Sequence, residues 1–267
     1  MILVKILGGL GNQMFQYAYA KALEMKGFDV RLDLSGFKKY HLHGGYQLDK
    51  YQINIQNAKA SVILFSKINR LRMIKEKNLM FDLKLLSLKE NQYVKGYFQT
   101  EKYFSEIREV LLQEFTINRA IATSTENYIK QITNAKVSCS IHIRRGDYVS
   151  NKKSNNIHGT CSLEYYKKAI TLIEDKYKNV TFFIFSDDIS WTKENLILKN
   201  AVYINHKCLP HEDIYLMSLC CHNITANSSF SWWGAWLNNN THKTIIAPKK
   251  WFIDKKSEIA CENWIKL

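Results

Sequence analysis

An almost uninterrupted apolar run constrains the fold of this chain more than any other feature. Residues 180–185 read VTFFIF, which leaves one polar side chain in six. A strand with one solvated face alternates polar and apolar residues, whereas a strand covered on both faces is apolar throughout. Strands covered on both faces occur in parallel sheets with helices on either side. The run therefore predicts an α/β fold.

Strand-like and helix-like segments alternate through the second half of the chain. The expected strands cover residues 137–143, 180–185, 201–204, 223–226 and 244–247. The expected helices between them cover residues 163–176, 192–199 and 211–220. This order is that of a doubly wound parallel sheet. Within the first of these strands, apolar residues alternate with small or polar ones, which indicates one strongly buried face.

The first half of the chain begins with a similar unit. A strand at 2–6, a glycine turn, a helix and a strand at 29–34 form a predicted βαβ unit. Beyond it we expect a helix within 61–74, a strand at 91–98 and helices at 101–115 and 120–133. The chain is therefore predicted to form two Rossmann-like domains, residues 1–134 and 135–250. A tail at 251–267 is expected to be helical and to pack back.

The charge of the chain points to an acidic partner. Its 38 Lys and Arg residues outweigh 24 Asp and Glu residues, which gives a formal net charge of +14. Nucleic acid, an anionic membrane surface or a phosphorylated small molecule would each suit that balance. The lysines are scattered and lack interleaved aromatic residues, which favours a solvated surface. A basic nucleic-acid-binding protein stays open as an alternative, and its affinity would fall steeply with added salt.

The cysteines and the first residues of the chain bear on its cellular location and on metal binding. None of the six cysteines forms a C-x-x-C pair, so neither a zinc site nor a disulfide framework is predicted. The apolar run at residues 2–7 is interrupted by Lys5 and is too short for a signal peptide. No apolar stretch of about 18 residues occurs that could span a membrane. We therefore expect a cytoplasmic protein with reduced thiols.

The turn after the first strand reads GGLGNQ over residues 8–13. It lacks the third glycine of a dinucleotide-binding fingerprint, because Met14 stands there, and no phosphate loop follows. This argues against a Rossmann oxidoreductase, which nicotinamide binding would test. Asn12 and Gln13 lie at the predicted helix start, where their amides would face whatever lies above the sheet.

Two adjacent arginines follow the strand that ends at Ile143. Arg144 and Arg145 precede Gly146, which allows a sharp exit from the strand. In open α/β sheets ligands bind outside the carboxyl ends of the strands. Two neighbouring guanidiniums repel each other unless a multiply charged anion lies between them. The alternative is an ion-pair cluster in which a nearby carboxylate satisfies each arginine.

Two more strand ends carry matching chemistry. Ser186, Asp187 and Asp188 follow the strand ending at Phe185, and a serine-rich helix start follows Ala226. Arginines and serine N–H groups suit a pyrophosphate, and a carboxylate that accepts two N–H bonds suits guanine. The three strand ends together predict a guanosine diphosphate pocket. No Asp-x-Asp pair follows a strand, so the arginines are expected to hold the diphosphate without a metal.

Four segments in order carry a family resemblance that spans nearly the whole chain. They are residues 8–16 (GGLGNQMFQ), 142–148 (HIRRGDY), 185–188 (FSDD) and 226–237 (ANSSFSWWGAWL). Together they resemble the α-1,2-fucosyltransferase family, nearest to bacterial enzymes that decorate surface polysaccharide. Residues 43–46 and 158–162 are also similar.

The resemblance implies a glycosyltransferase B fold, with two Rossmann-like doubly wound domains facing a cleft. It implies inverting transfer of L-fucose from GDP-β-L-fucose to the 2-hydroxyl of a terminal galactose, in surface polysaccharide synthesis. GDP-fucose would be a co-substrate, and no cofactor or metal would be needed. The acceptor would be a galactose-terminated oligosaccharide, and the positive charge is compatible with a lipid-linked acceptor and peripheral contact with an anionic membrane. Another GDP-sugar-dependent glycosyltransferase is the alternative.

The resemblance also assigns roles to residues. Arg144 would be the main β-phosphate contact with Arg145 in support, and His142 and Asp188 would approach guanine. Ser228, Ser229 and Ser231 would line the phosphates. The remaining donor-side residues are Ser186, Asp187, Asn227 and Phe230, the acceptor-side residues are Gly11, Asn12, Gln13 and His158, and the catalytic set is Arg144, Asn12 and Asp147.

The general base stays open. Asp147, Glu164 or His158 could take the proton of the acceptor hydroxyl, or the departing phosphate oxygen could take it. Asp147 could equally orient Arg145 as a structural partner, which is the interpretation we favour.

Overall fold

The chain folds into two α/β units, each built on a parallel sheet. A computed structural model describes residues 1–38, 44–68, 71–146, 159–205 and 209–267. One unit contains Met1–Arg119 and Lys256–Ile259, and the other contains Ala120–Lys255 and Ala260–Leu267. Among the described residues, no helix combines the length and hydropathy needed to cross a membrane. The predicted α/β class is confirmed.

The first unit contains a four-stranded sheet in the order β2-β1-β4-β3, with every pair parallel. Its elements are β1 (Ile2–Lys5), α1 (Leu10–Met25), β2 (Val30–Asp33), α2 (Ala60–Ile68), β3 (Arg72–Lys75), β4 (Gln92–Lys95) and α3 (Arg108–Glu114). The predicted βαβ unit at the start of the chain is therefore present.

Helix α1 is buried on nearly all sides and forms the centre of the first unit. Even Lys21 is only 4% exposed, and its ammonium contacts Glu24 at 2.6 Å and Glu114 at 2.7 Å. A buried charge is tolerated only when it is paired in this way. The helix ends at Met25, and Gly27 beyond it has a φ of +92°, in the left-handed region that glycine favours.

The second unit contains a six-stranded sheet in the order β10-β9-β8-β5-β6-β7, again with every pair parallel. Its elements are α4 (Thr123–Asn134), β5 (Val137–Ile143), α5 (Leu163–Lys176), β6 (Val180–Ser186), α6 (Ile189–Asn195), β7 (Ala201–Tyr203), α7 (Pro210–Leu219), β8 (His222–Ile224), α8 (Ser229–Trp236), β9 (Ile245–Ala247) and β10 (Ile265–Lys266). The strand and helix alternation predicted here is confirmed.

Both central strands of the second sheet are covered on both faces. This confirms the interpretation of residues 180–185 but corrects that of β5, for which we expected one buried face. The serines of β5 are buried because they have partners. Ser140 Oγ accepts a bond from Asn223 Nδ2 at 2.7 Å, and Ser138 Oγ accepts one from the Cys221 N–H at 3.0 Å. Small hydroxyl residues therefore replace apolar ones on this face.

Two predicted helices are wrong in part. The segment 61–74 is not one helix, because α2 ends at Ile68 and Arg72–Lys75 pairs with β4 as an edge strand. The segment 101–115 begins with two short 3₁₀ turns, Glu101–Tyr103 and Ser105–Ile107, before α3. In both cases tertiary pairing and packing override the local helical pattern.

Helix α4 lies in the second unit, whereas the predicted division placed it in the first. The structure divides between Arg119 and Ala120. The carboxylate of Glu212, on α7, accepts bonds from the Ala122 N–H at 3.2 Å and from the Thr125 hydroxyl at the start of α4. Glu212 is 2% exposed, so this cap anchors α4 against α7.

The tail does not form the predicted helix. Residues 251–267 are all described and contain no helical segment. Instead, Trp264 packs 5.6 Å from Trp232 of α8, and β10 extends the sheet beside β9. Within the first unit, Glu258 accepts the Phe81 N–H at 2.9 Å and lies 3.5 Å from Lys102 Nζ. Aromatic burial and strand pairing, rather than helix propensity, fix the tail.

We expect Gly234→Ala to destabilise the packing of α8 on α7. A Cβ at Gly234 would lie 2.6 Å from Met217 Cβ. Because each Cβ is attached directly to the backbone of its helix, side-chain rotation cannot separate the two atoms. Overpacking of this kind costs about 1–3 kcal/mol of unfolding free energy, measurable by urea denaturation. Gly36→Ala is the matched control, because its Cβ would meet only the flexible end of Lys5 at 3.4 Å. Equal midpoints for the two variants would contradict the expectation.

Candidate functional site

The strand order of the second sheet changes direction between β5 and β8. The chain runs from β5 to β6 and β7 on one side, then returns to β8 and β9 on the other. Ligands in open α/β sheets bind at such a switch point, outside the carboxyl ends of the strands. Arg144 and Arg145 follow β5, and Asn227 and Ser228 follow β8 immediately before α8. The topology therefore places two predicted donor-side groups at one location.

The register of β5 against β6 sets the contacts of Arg144. Ile143 pairs with Ser186, so Arg144 and Asp187 leave the sheet side by side. Arg144 Nη1 lies 2.9 Å from Asp187 Oδ2, and the other oxygen of Asp187 accepts the backbone N–H of Arg145 at 2.9 Å. One carboxylate thus holds the first guanidinium and the backbone of the second arginine.

Arg145 has a different environment. Its guanidinium carbon lies 3.6 Å from the ring centroid of Trp191, a cation–π distance. Its Nε is buried, lies 3.7 Å from Asp188 Oδ2 and makes no hydrogen bond within the described part of the chain. Asp188 Oδ1 caps α6 by accepting the Trp191 N–H at 3.1 Å. Trp191 and Asp188 therefore form one support for the second arginine.

These contacts match the ion-pair alternative that the sequence left open. Each arginine has its own carboxylate, and both oxygens of Asp188 contact protein groups. One carboxylate oxygen of Asp188 caps α6, and the contact of Asp188 with guanine stays a prediction. Ser186, also predicted on the donor side, accepts bonds from the Asp188 N–H and the Thr192 hydroxyl.

Gly146 leaves room for the carboxylate of Asp187. A Cβ at Gly146 would lie 2.9 Å from Asp187 Oδ2, which is closer than real Cβ contacts. A larger residue would displace the carboxylate that holds Arg144. The glycine therefore serves the arginine cluster as well as the exit from β5.

The serines at the start of α8 divide between structural and accessible roles. Ser228 Oγ caps the helix by accepting the Phe230 N–H at 3.3 Å. Ser231 is 2% exposed, and its hydroxyl donates to the Ser228 carbonyl and accepts the Ala226 N–H. The hydroxyl of Ser231 therefore makes internal bonds, and its phosphate contact stays a prediction. Ser229 is partly exposed in the first turn.

Asn227 joins the strand end to the segment that precedes α5. Its Nδ2 donates to the Gly159 carbonyl at 3.1 Å, and Cys161 Sγ lies 3.5 Å from its Oδ1. This predicted donor-side residue therefore braces the loop above the sheet.

His142 is the next-to-last residue of β5, two positions before Arg144. It is 5% exposed, and its ring centroid lies 5.4 Å from that of Phe230. Its Nδ1 is buried and has no hydrogen-bond partner among the described residues. Burial, and then the charge of Arg144, lower the pKa of His142 to about 4, so the ring is neutral near pH 7. A buried nitrogen without a partner costs about 1–3 kcal/mol, which is tolerated where a ligand supplies the bond.

The candidate bases are only partly described. Asp147 and His158 lie outside the described residues, as do Tyr148 and position 43 of the similar segments. Glu164 is exposed in the first turn of α5 and pairs with Lys168 at 2.7 Å. The structure thus gives Glu164 the role of a surface helix residue.

In the first unit, the side chain of Gln13 bonds the backbone around it. It is fully buried, and its amide nitrogen donates to the carbonyls of Gly8 and Gly45 at 2.8 Å each. Its amide oxygen accepts the Gln47 N–H at 2.9 Å. Gly11, another predicted acceptor-side residue, is buried in the first turn of α1. The acceptor-side roles of Gln13 and Gly11 stay predictions.

Asn12 keeps an accessible position in the same turn. It is partly exposed, and its Oδ1 accepts a bond from Gln99 Nε2 at 2.8 Å. It follows β1 next to β4, where the order of the first sheet also changes direction.

Sequence reasoning missed Trp191 and Gln99. Trp191 stands three residues after the capping Asp188, a spacing that places it in the first turn of a helix but does not identify its partner. Gln99 follows β4 by four residues and contacts a residue 87 positions away, which no local pattern reveals. The described residues show no cluster of three metal-ligating side chains.

Parallel α/β units of this kind are those of the glycosyltransferase B fold. The solved structure of the Bradyrhizobium NodZ alpha-1,6-fucosyltransferase soaked with GDP-fucose is similar in fold, with a TM-score of 0.52 at 11% identity, over 88% of this chain and 91% of that one. The model of glycosyl transferase family 11 matches residues 1–267. The chain belongs to this family, that of the α-1,2-fucosyltransferases.

Two Escherichia coli relatives match along their whole lengths. The chain is 37% identical to an alpha-1,2-colitosyltransferase, over 100% of this chain and 99% of the relative. It is 32% identical to the O-antigen biosynthesis glycosyltransferase WbnK, over 97% and 98% respectively. The family resemblance expected from the four motifs is therefore confirmed.

We expect the second unit to lose stability as the pH falls from 7 to 5. The folded pKa of His142 is about 4, below the ordinary 6.5, so the unfolded chain binds the proton first in this window. Acid therefore favours unfolding, by about 2 kcal/mol between pH 7 and pH 5 for one such histidine. His142→Asn should remove that loss in urea titrations.

His222 supplies the background for this measurement. Burial, and then the charge of Lys176, lower its pKa to about 4 as well, and its Nδ1 accepts the Thr244 N–H at 3.0 Å. It titrates in the same way in both proteins, so the difference between them reports on His142. Identical slopes for wild type and His142→Asn between pH 7 and 5 would contradict the assignment.

Proposed function

We propose that this protein transfers L-fucose from GDP-β-L-fucose, with inversion, to the 2-hydroxyl of a terminal galactose. One observation carries the proposal: in a family 11 chain, Arg144, Arg145 and the start of α8 share the switch point of the second sheet. Fixed guanidiniums and helix N–H groups are the donors that a diphosphate requires. The buried Nδ1 of His142 beside them adds a site for a hydrogen bond from the nucleotide.

The arginines act on the departing group. As the bond between fucose C1 and the β-phosphate oxygen breaks, its electron pair passes to the diphosphate and the sugar gains positive charge. A preorganised guanidinium stabilises this charge more in the transition state than in the ground state. Asp187 holds Arg144 through Nη1 and Arg145 through its N–H, so the donors are fixed before the reaction. In this proposal the guanidiniums take the place of a divalent cation.

The proton balance completes the reaction. The galactose 2-hydroxyl oxygen forms the new bond to C1, and its proton passes to a base or to the departing phosphate oxygen. Glu164 is remote from this role because it is exposed and paired with Lys168. Asp147, His158 and the phosphate oxygen are the acceptors that the proposal retains.

GDP-colitose is a second candidate donor, because a relative with 37% identity is an alpha-1,2-colitosyltransferase. Colitose is L-fucose without its 3-hydroxyl group. A site that hydrogen-bonds this hydroxyl would reject colitose strongly, whereas an apolar site would discriminate little. The name of the WbnK relative suggests O-antigen synthesis as the setting. The net charge of +14 is compatible with a lipid-linked acceptor and with peripheral contact with an anionic membrane.

A direct assay tests the donor, the linkage and the metal together. The protein is incubated with GDP-fucose or GDP-colitose and a panel of β-galactosides, with and without EDTA, and the linkage is determined. Formation of an α-1,2-fucosyl galactoside in EDTA supports the proposal. Transfer only from GDP-colitose would select the second donor, and loss of turnover in EDTA would reject the metal-free mechanism.

We expect Arg144→Lys to lose about 100- to 1000-fold in kcat, because an ammonium cannot reproduce the planar fork of a preorganised guanidinium. Steady-state kinetics with saturating donor measure the effect. Arg119→Lys is the matched control, since Arg119 is exposed and its guanidinium contacts Asp49 in the first unit. Near-normal turnover by Arg144→Lys would count against the assignment.

We expect Trp191→Leu to weaken GDP binding, because the guanidinium of Arg145 loses the aromatic ring on which it packs. A cation–π contact is worth about 0.5–2 kcal/mol, which corresponds to roughly 2- to 30-fold in Kd. Trp191→Phe retains an aromatic face and should recover most of the affinity. Isothermal titration calorimetry with GDP measures both variants, and equal affinities for Leu and Phe would contradict the role of the ring.

A further inference from the structure

The side chains of Gln99 and Asn12 meet at the switch point of the first sheet. Asn12 follows β1, Gln99 follows β4, and these strands are neighbours through the pair Val4 and Val94. Gln99 Nε2 donates to Asn12 Oδ1 at 2.8 Å, and Gln99 is 8% exposed. The bond therefore joins a nearly buried amide to a partly exposed one.

This bond decides whether Asn12 offers a ligand its amide oxygen or its amide nitrogen. A carboxamide has an acceptor oxygen on one side and a donor nitrogen on the other. Because Gln99 occupies Oδ1, Nδ2 turns the opposite way, over Gly8. A Cβ at Gly8 would lie 2.9 Å from Nδ2, and the φ of Gly8 is +81°. The described residues provide no hydrogen-bond acceptor for Nδ2.

The backbone that carries Gln99 is held by a carboxylate. Glu76 accepts the N–H groups of Tyr97 at 2.7 Å and Phe98 at 3.1 Å. Phe98 has a φ of +52°, which is uncommon outside glycine, and its ring stacks on Tyr19 at 3.8 Å. A turn with this much support does not shift easily, so it fixes the position of Gln99.

A second glutamine holds the same two strand ends together. Gln16 Nε2 donates to the Gly96 carbonyl at 3.1 Å, and its Oε1 accepts the Leu7 N–H at 2.8 Å. Gln16 is fully buried. Consequently the segments that bear Asn12 and Gln99 are braced against each other independently of the bond between those two side chains.

We infer that Gln99 is a positioning residue that makes Asn12 a hydrogen-bond donor towards the acceptor sugar. The inference rests on the proposed glycosyl transfer and adds to it a determinant of acceptor recognition. Sugar hydroxyl and ring oxygens accept hydrogen bonds, so an amide nitrogen with its N–H groups still to donate suits them. Gln99 acts only through Asn12 and does not contact the sugar.

Gln99→Glu inverts the polarity at nearly constant shape. A carboxylate cannot donate, so Glu at this position can bond only the Nδ2 of Asn12, and the amide rotates to present its oxygen outward. Removing a hydrogen bond while leaving an oxygen opposite an oxygen should lower kcat/KM for the acceptor about 10- to 100-fold. The KM for the GDP-sugar should change by less than about twofold, because the substitution alters only the contacts made with the acceptor.

Two further variants separate orientation from structure. Gln99→Met removes the bond without reversing it and should cost less, about 3- to 10-fold in acceptor kcat/KM. Asn12→Asp retains the bond to Gln99 but presents an oxygen outward, so it should match Gln99→Glu. In an Asn12→Ala background the two Gln99 substitutions should have no further effect on acceptor kinetics. An undiminished effect in that background would overturn the inference.

A spectroscopic readout keeps this test apart from that of the proposed function. In ¹⁵N-labelled protein, the side-chain amide resonance of Asn12 is assigned by its loss in Asn12→Ala. Gln99→Glu should shift it downfield, because its NH₂ gains a charge-assisted bond. An unchanged resonance would overturn the inference whether or not transfer is observed. A shifted resonance with no transfer from either GDP-sugar by the wild type would retain the orientation of Asn12 and reject the proposed function.

Discussion

The parallel register of β5 against β6 is the constraint on which the rest of the second unit depends. Seven residue pairs, from Val137 with Val180 to Ile143 with Ser186, align the two strands so that they end in step. The residues that follow are two arginines on one strand and two aspartates on the other. A slip of one residue would turn every side chain to the opposite face and break each ion pair. Buried apolar residues far from the site therefore determine its chemistry.

The same burial explains why the site is not simply a concentration of positive charge. Arg144 and Arg145 face Asp187 and Asp188, so the four charges balance. An anion would be selected by donors held in fixed directions rather than by net attraction. His142 follows from the same logic, because a strand covered on both faces draws its ring into an apolar environment and keeps it neutral. The excess of positive charge in the composition has little bearing on this cluster.

Much of the fold could be predicted because strand burial leaves a direct pattern in the sequence. The run at 180–185 and the segments around Arg144 identified the sheet and the end at which chemistry belongs. The roles of Gln13 and Ser231 could not be predicted in the same way. Both stand in a motif that suggests ligand contact, yet their polar atoms bond neighbouring backbone. Only the paths of the surrounding segments decide whether such a group faces inward.

A long-range cap explains why helix α4 lies in the second unit. Helix α4 follows the first half of the chain in sequence, but Glu212 fixes its start from α7, which lies about 90 residues later. The helical pattern predicted for 101–115 is broken at its start, where 3₁₀ turns precede α3. The partner of α4 therefore lies outside the window that a periodicity can sample.

The return of residues 256–259 to the first unit has a consequence for protein engineering. A gene fragment ending at Arg119 would encode the whole sheet of that unit but would omit Glu258, which binds the Phe81 N–H and lies beside Lys102. Chimeras that exchange halves with a family member at a single splice point would therefore pair this carboxylate with a foreign surface. A three-junction exchange, which carries residues 256–259 along with the N-terminal half, would preserve the contacts of Glu258 with Phe81 and Lys102.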